Sequence, residues 1–347
     1  MDNFAGSGAL TETKIRELYK HCTLCPRKCG ADRYERFGFC KAGTQMRLAK
    51  AMLHYWEEPV LCAEGGSGAV FFSNCTLRCV FCQNYSISAE GFGKEVSVPD
   101  LADIFLRLKQ QGAQNIDLIT ATHYLPSVTA ALDLVKHRLD IPVVYNCGGY
   151  ESAETIRMLD EYIDIYLPDI KYFNNKFSVK FSSAPDYFET ACAALEEMIR
   201  QTGKPVIVNG SLRKNADDLK TLPDTGTVLP DSDSADCKNS GIVRTMKRGV
   251  IVRHMILPGC RKDSIAVLGA LSERFGTDKF LISLLRQYTP FYKAKTEPEY
   301  KSINRRVTGY EYDSVVREAA RLGFDGFMQE KSSAKEEYTP LFDLSGL

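Results

Sequence analysis

Long apolar runs are missing from this chain of 347 residues. No stretch nears the ~20 apolar residues that a membrane span needs. The start, Met1-Asp2-Asn3-Phe4-Ala5, also lacks the basic residue and apolar core of a secretory leader. A cytoplasmic protein with no membrane partner is expected. An excess of one charge is missing too: Lys plus Arg and Asp plus Glu number 44 each, which leaves no global basic field to hold a nucleic acid. No internal repeat of solenoid type is present. With 44% apolar residues, the chain can bury one core of barrel size.

Cysteine, by contrast, is abundant. Twelve thiols in a chain without an export signal are expected to stay reduced, and their clustering in two groups favours metal ligation over a disulfide framework. The more telling group is Cys75, Cys79 and Cys82, within Asn74-Cys75-Thr76-Leu77-Arg78-Cys79-Val80-Phe81-Cys82-Gln83-Asn84. Cysteines so spaced also share one face of an α-helix and would then be three core side chains. The preceding residues argue for a loop, because 69–73 read as a short buried strand and Ser73-Asn74 is turn chemistry. Three thiolates on such a loop hold a [4Fe–4S] cube and leave one iron without a protein ligand. That iron is a docking place for S-adenosylmethionine (SAM), so the motif predicts reductive cleavage of SAM and radical chemistry in a dry cavity. Cys62 is the nearest cysteine that could close the cluster instead.

After this loop, strand-like and helix-like runs alternate. Strands are expected at 116–120, 142–146, 163–167, 249–257 and 279–284, with helices near 126–138, 151–161, 186–201 and 262–274. With 69–73 this makes six parallel strands, a (β/α)6 partial TIM-like barrel, although a doubly wound open sheet fits the alternation almost as well. The expected organisation is a cysteine-rich extension over 1–62, a barrel over 63–290 and a C-terminal extension over 291–347 packed on the barrel. The polar, turn-rich passage at about 211–247, with Cys237 inside it, reads as an insertion.

Barrel-like α/β folds carry their chemistry on loops at the carboxyl ends of the strands. The polar residues there are the cofactor candidates: Thr122 or His123 for the amino group of SAM, Asn146 for its ribose, and Asp169 with Lys171 for its methionine end. Phe81 either shields the cluster or packs in the core, and Asn84 either hydrogen-bonds a sulfide or cofactor edge or serves the turn. Arg253 lies inside a strand, where a charge must be paired or face a polar lumen; it would meet a cofactor carboxylate or a structural acid. His254 alternates to the opposite face and reads as structural.

The second group is Cys22, Cys25, Cys29 and Cys40. Four thiolates suffice for a closed site, and with only one short Cys-x-x-Cys knuckle both zinc and an auxiliary iron–sulfur cluster remain open.

These residues make the sequence resemble the radical SAM superfamily, within it the branch similar to pyruvate formate-lyase activating enzyme. The likeness is carried by Cys25-Pro26-Arg27-Lys28-Cys29-Gly30, the run from Asn74 to Asn84, Thr122-His123-Tyr124-Leu125-Pro126 and Tyr166-Leu167-Pro168-Asp169-Ile170-Lys171-Tyr172. It continues through Val252-Arg253-His254 and Gln287-Tyr288-Thr289-Pro290 to Gln329-Glu330-Lys331-Ser332-Ser333-Ala334. The resemblance implies the partial barrel, a 4Fe-4S cluster on Cys75, Cys79 and Cys82, a 5'-deoxyadenosyl radical, and a low-potential donor such as flavodoxin or ferredoxin. It further implies a glycyl radical enzyme as partner. One departure stands out: many relatives grip the SAM amine with Gly-Gly-Glu after the second strand, where this chain reads Thr120-Ala121-Thr122-His123. Radical modification of a peptide, tRNA or metabolite is the neighbouring reading, and a non-catalytic iron–sulfur or zinc protein the more distant one.

Overall fold

The computed structural model describes residues 12–211, 227–228, 242–329 and 340–347. Its strands are β1 (Met46–His54), β2 (Ser67–Phe72), β3 (Lys94–Val96), β4 (Ile116–Ile119), β5 (Val143–Cys147), β6 (Ile165–Pro168), β7 (Val206–Ser211), β8 (Thr227–Val228), β9 (Ile242–Met255), β10 (Leu281–Leu285) and β11 (Gly326–Met328). The helices are α1 (Glu12–Lys20), α2 (Pro59–Cys62), α3 (Tyr85–Ser88), α4 (Val98–Gln110), α5 (Leu125–Val135), α6 (Ala153–Arg157), α7 (Asn175–Ser182), α8 (Tyr187–Thr202), α9 (Arg261–Phe275), α10 (Tyr292–Thr296) and α11 (Gly309–Leu322). No described helix is long and apolar enough to cross a membrane.

The sheet order is β3-β1-β2-β4-β5-β6-β9-β10-β11-β8, with β7 paired to β9 off this path. From β2 to β11 every neighbouring pair is parallel. These strands follow chain order without the reversal that a doubly wound sheet requires, so the sheet winds one way only. It curls: β2, β4, β9, β10 and β11 all contribute residues to the wall of one central cavity, as does the residue after β6. The architecture is a mixed α/β partial barrel. β2 and β5 are buried along their whole length, as strands covered on both faces must be. Crossover helices pack outside, α4 beside α5, α6 against α8, and α9 against α11.

Three features differ from the sequence expectation. A seventh parallel strand, β11, extends the sheet beyond the six anticipated; at three residues, Gly-Phe-Met, it is too short to show a period. The helix expected near 151–161 is only α6, because Ser152 caps it by accepting from Thr155 N at 3.3 Å, and Glu151 is drawn into the core instead. The anticipated insertion is strand at both ends: β7 and the start of β9 form an antiparallel arm with Ser211 opposite Ile242. The β-branched residues Ile242, Val243 and Thr245 favour that extension. Most of the passage between, including Cys237, lies outside the described residues, as does the segment from Glu330 to Ala334.

The N-terminal segment supplies β1, which runs antiparallel to β2 and pairs His54 with Ser67. Residues near the C-terminus lie along the same strand, Ala51 N donating to Ser345 O at 3.1 Å and Leu344 N to Ala49 O at 3.1 Å.

Candidate active site

The loop that follows β2 is shaped by its backbone. Asn74 takes a left-handed conformation with φ 73°, which asparagine tolerates better than most residues. Its N–H donates to Ile87 O at 2.8 Å, and Val80 N donates to Phe181 O at 2.9 Å. The loop is therefore anchored to α3 on one side and to α7 on the other. Cys75, Cys79 and Cys82 are partly buried and free of disulfides.

Their sulfurs meet only weak partners. Cys79 Sγ lies 3.0 Å from Ser182 Oγ, Cys82 Sγ lies 3.2 Å from Ser88 Oγ, and Leu77 N donates to Cys75 Sγ at 3.4 Å. Burial pushes the Cys75 thiol up to about 12 and that of Cys82 to about 11, because the enclosed site disfavours a bare thiolate. A soft cationic iron centre would supply the missing compensation. Three free thiols on one short loop, each raised by burial, fit a [4Fe–4S] cluster.

Cys79 and Cys82 open onto the central cavity, a space of about 260 Å³. Of the residues singled out in the sequence, Phe81, Asn84, Asn146, Asp169, Lys171 and Arg253 also line it. Phe81 packs edge-on against Tyr288, with ring centroids 5.8 Å apart. Across the cavity runs a ladder of charge. Lys171 Nζ contacts Asp169 Oδ2, Asp169 Oδ1 accepts from Arg253 Nε at 3.2 Å, and Arg253 Nη1 donates to Glu57 Oε2 at 3.0 Å. Arg253 also reaches Asn146 Oδ1. Burial works against the charge on Asp169, but Lys171 and then Arg253 outweigh it and hold its carboxyl below the ordinary value. Lys171 is likewise held above its ordinary value: burial opposes its charge, and Asp169 and Cys79 overcome that. Arg253 thus faces the lumen and is paired with acids at the same time.

Thr122 and His123, expected beside the SAM amine, do not line this cavity. Thr122 Oγ1 sits 2.8 Å from Tyr145 OH and donates to Glu151 Oε1 at 3.1 Å, all within the core. His123 Nε2 lies 2.8 Å from Ser73 O, and its ring borders a small void shared with Cys22, Cys25, Cys29 and Cys40. The chain beyond β4 turns at once into the short helix Thr122–Tyr124, which swings both side chains away from the barrel axis. With a carbonyl as partner Nε2 must carry the proton, so Nδ1, buried and without a partner among the described residues, presents a lone pair. Burial lowers the ring to about 3, which keeps it neutral.

In the N-terminal group Cys22, Cys25 and Cys40 are buried and Cys29 is exposed. Among the described residues no three His, Cys, Asp or Glu side chains converge on a single-ion position. Cys62, weighed as a fourth cluster ligand, points its thiol to His54 O at 3.6 Å and does not line the cavity.

Sequence reasoning missed Glu57, Glu58 and Asp117. Glu57 and Glu58 line the cavity, and Asp117 accepts from Asn146 Nδ2 at 3.2 Å. Burial raises all three carboxyls, that of Asp117 well above the ordinary value. Asp117 carried the same signal as Arg253, a charge inside an apolar strand; Glu57 and Glu58 follow a strand whose place in the sheet the sequence does not show.

The family model described as the Radical SAM superfamily matches residues 69–220, and over that span the chain is similar to radical SAM enzymes, a family that implies a [4Fe–4S] cluster and SAM. Across 322 residues the chain is 26% identical to an uncharacterised protein, MJ0674, of Methanocaldococcus jannaschii, covering 89% of this chain and 77% of that one. Among solved structures, methylornithine synthase (PylB) matches at TM-score 0.43 and 11% identity, over 90% of this chain and 74% of its own. Streptococcus suis SuiB bound to SAM matches at 0.43 and 10%, over 74% and 48%; this chain spans about half the length of SuiB.

Proposed function

We propose that this protein reductively cleaves SAM and removes a hydrogen atom from a second molecule held in the central cavity. The observation that carries the reading is the placement of Cys79 and Cys82 at one end of a cavity whose wall bears Lys171, Asp169 and Arg253. Cys75, Cys79 and Cys82 would hold a [4Fe–4S] cluster, which would supply the one electron needed to part SAM into methionine and a 5'-deoxyadenosyl radical.

The chain's own residues have distinct tasks. Lys171 offers its ammonium to the carboxylate of the methionine portion, with Asp169 holding it in place. Asn146 and Asn84 offer carboxamides to ribose or base. Phe81 and Tyr288 exclude water beside the cysteines. The expected source of the electron is flavodoxin or ferredoxin.

Resemblance to activating enzymes makes a glycine on a glycyl radical enzyme the first candidate substrate, with a peptide, tRNA or metabolite as the alternative. Anaerobically reconstituted protein with dithionite and SAM is expected to yield 5'-deoxyadenosine and methionine, and the Cys79→Ala variant none. Product no higher than in that variant would sink the reading and leave a non-catalytic metal protein. Backbone scission at a glycine of a candidate partner on exposure to air, seen by mass spectrometry, separates the activase from the other substrates.

Cys22, Cys25, Cys29 and Cys40 we assign to a second soft-metal centre. An iron–sulfur cluster, which spreads its ligands over several irons, suits their layout better than one zinc ion. Roughly eight irons per chain rather than roughly four is the expected analysis, and zinc would overturn it.

A further inference from the structure

The cavity has a second chemical pole. Because β1 is antiparallel to β2 and pairs His54 with the first residue of β2, the chain leaving β1 passes under the amino ends of the parallel strands. That is the end opposite the cysteine loop. Glu57 and Glu58 lie on this passage and face the cavity. The contacts order the groups from one pole to the other: Lys171 to Asp169, Asp169 to Arg253, Arg253 to Glu57.

Glu58 stands out. The residue is 6% exposed, yet its Oε2 has no hydrogen-bond partner among the described residues. It occupies the N-cap position of α2, but its side chain accepts nothing from the helix; Ser283 hydrogen-bonds the carboxyl, which accounts for one oxygen and not for Oε2. Asp117 leaves Oδ1 unpartnered as well. Near Arg253 the carboxyls of Asp169, Glu57, Glu58 and Asp117 gather; among the described residues Lys171 joins Arg253 on the cationic side of the ladder, while His54, 3.8 Å from Glu57 Oε1, is lowered to about 4 by burial and stays neutral. Phe71, Trp56 and Phe327 add aromatic surface to the same wall.

We propose that this pole binds the ammonium group of the molecule on which the radical acts, so that the substrate class is a primary alkylamine, either a lysine side chain or a free diamine. The proposal rests on the radical SAM reading above and deepens it. A neutral hydroxyl would satisfy Oε2 but leave the excess of carboxyls uncompensated, and an anion would be repelled by Glu57 and Glu58. An ammonium meets both needs, and aromatic faces favour it further. A metal cation fits less well, since no three described acidic, Cys or His side chains converge on one ion. Burial raises the carboxyls of Glu58 and Asp117 above their ordinary values, the direction expected of buried acids short of a cationic partner. SAM held at the cysteine end would be separated from Glu58 by the Lys171–Asp169–Arg253 ladder.

The test is calorimetric binding to the reconstituted, SAM-loaded full-length protein, using Nα-acetyl-lysine amide, cadaverine and the uncharged Nα-acetyl-norleucine amide. The expected result is that at least one amine binds at least about tenfold more tightly than the norleucine compound, the difference that one charge-assisted hydrogen bond supplies. Preference for the lysine amide identifies a protein side chain, and preference for cadaverine a free diamine. Glu58→Gln is expected to weaken the amine about tenfold and leave norleucine unaffected. Equal affinity for charged and uncharged probes, no binding of either amine, or an unchanged amine affinity in a folded Glu58→Gln variant overturns the proposal. The lysine and norleucine comparison in the unmodified protein stands even if the variant fails to fold. Formation of 5'-deoxyadenosine by the unmodified protein is scored separately, so loss of SAM cleavage strikes the enzyme reading and loss of amine preference strikes only this one.

Discussion

The Arg27 guanidinium donates through Nε to the Thr76 carbonyl at 2.7 Å, and through Nη2 to the Ser183 carbonyl at 2.8 Å. One side chain from the N-terminal cysteine group thus holds both the loop between Cys75 and Cys79 and the segment behind it. Arg27→Ala removes two charge-assisted hydrogen bonds and is expected to lower the unfolding free energy by about 1–3 kcal/mol. Denaturant titration reads that loss, and iron bound per chain after reconstitution should fall alongside. If both stay unchanged, the tie does not support the loop.

Arg253 is held by Asp169 and Glu57 in a buried setting. Arg253→Met leaves both acids short of a partner, and a loss of about 3–5 kcal/mol is expected. Because Lys171 still serves Asp169, adding Glu57→Gln should restore part of the loss. A double variant no more stable than the single one would place the damage elsewhere.

Glu151 is fully buried among Thr122 and Tyr145, and burial raises its carboxyl to about 8. Since the folded value lies above the ordinary one of about 4.3, the folded state keeps a proton that the unfolded chain has released. This contribution is complete below about pH 4 and is lost as pH rises toward 8, at about 1.4 kcal/mol per pH unit. Glu151→Gln removes that slope. Between pH 5 and pH 7 the variant should gain about 2.5 kcal/mol relative to the parent in urea melts, and parallel pH profiles would contradict the assignment.

Gly149 adopts φ 77°, and a Cβ there would lie 1.9 Å from the Asp169 carbonyl oxygen. Gly149→Ala must push the end of β6 aside and with it Asp169 and Lys171. SAM cleavage is expected to drop on the order of 10²-fold, the usual consequence of misplacing a positioning group by about 1 Å. A fully active variant would show that the ladder's position does not matter to the chemistry.

Much of the barrel was legible because parallel strands buried on both faces are near-continuous apolar runs, as at 69–73 and 142–146. The strand-end rule likewise brought Asn146, Asp169 and Lys171 to one cavity. It failed at Thr122 and His123 because a single helical turn after β4 reverses their direction, and local turn geometry leaves little trace in residue types. β1 escaped notice since Met46-Arg47-Leu48-Ala49-Lys50 mixes apolar and basic residues, and with it went Glu57 and Glu58. β11 is too short for any periodicity to register.

That last strand carries a consequence for how the molecule is made. Phe327 and Met328 form part of the cavity wall, yet they are separated from the cysteine loop by most of the length of the chain. During synthesis the three thiols emerge long before this panel does, so the nascent barrel is an open trough along one flank. Iron and sulfide delivered at that stage have a side entrance, and the docking of β11 against β10 closes it.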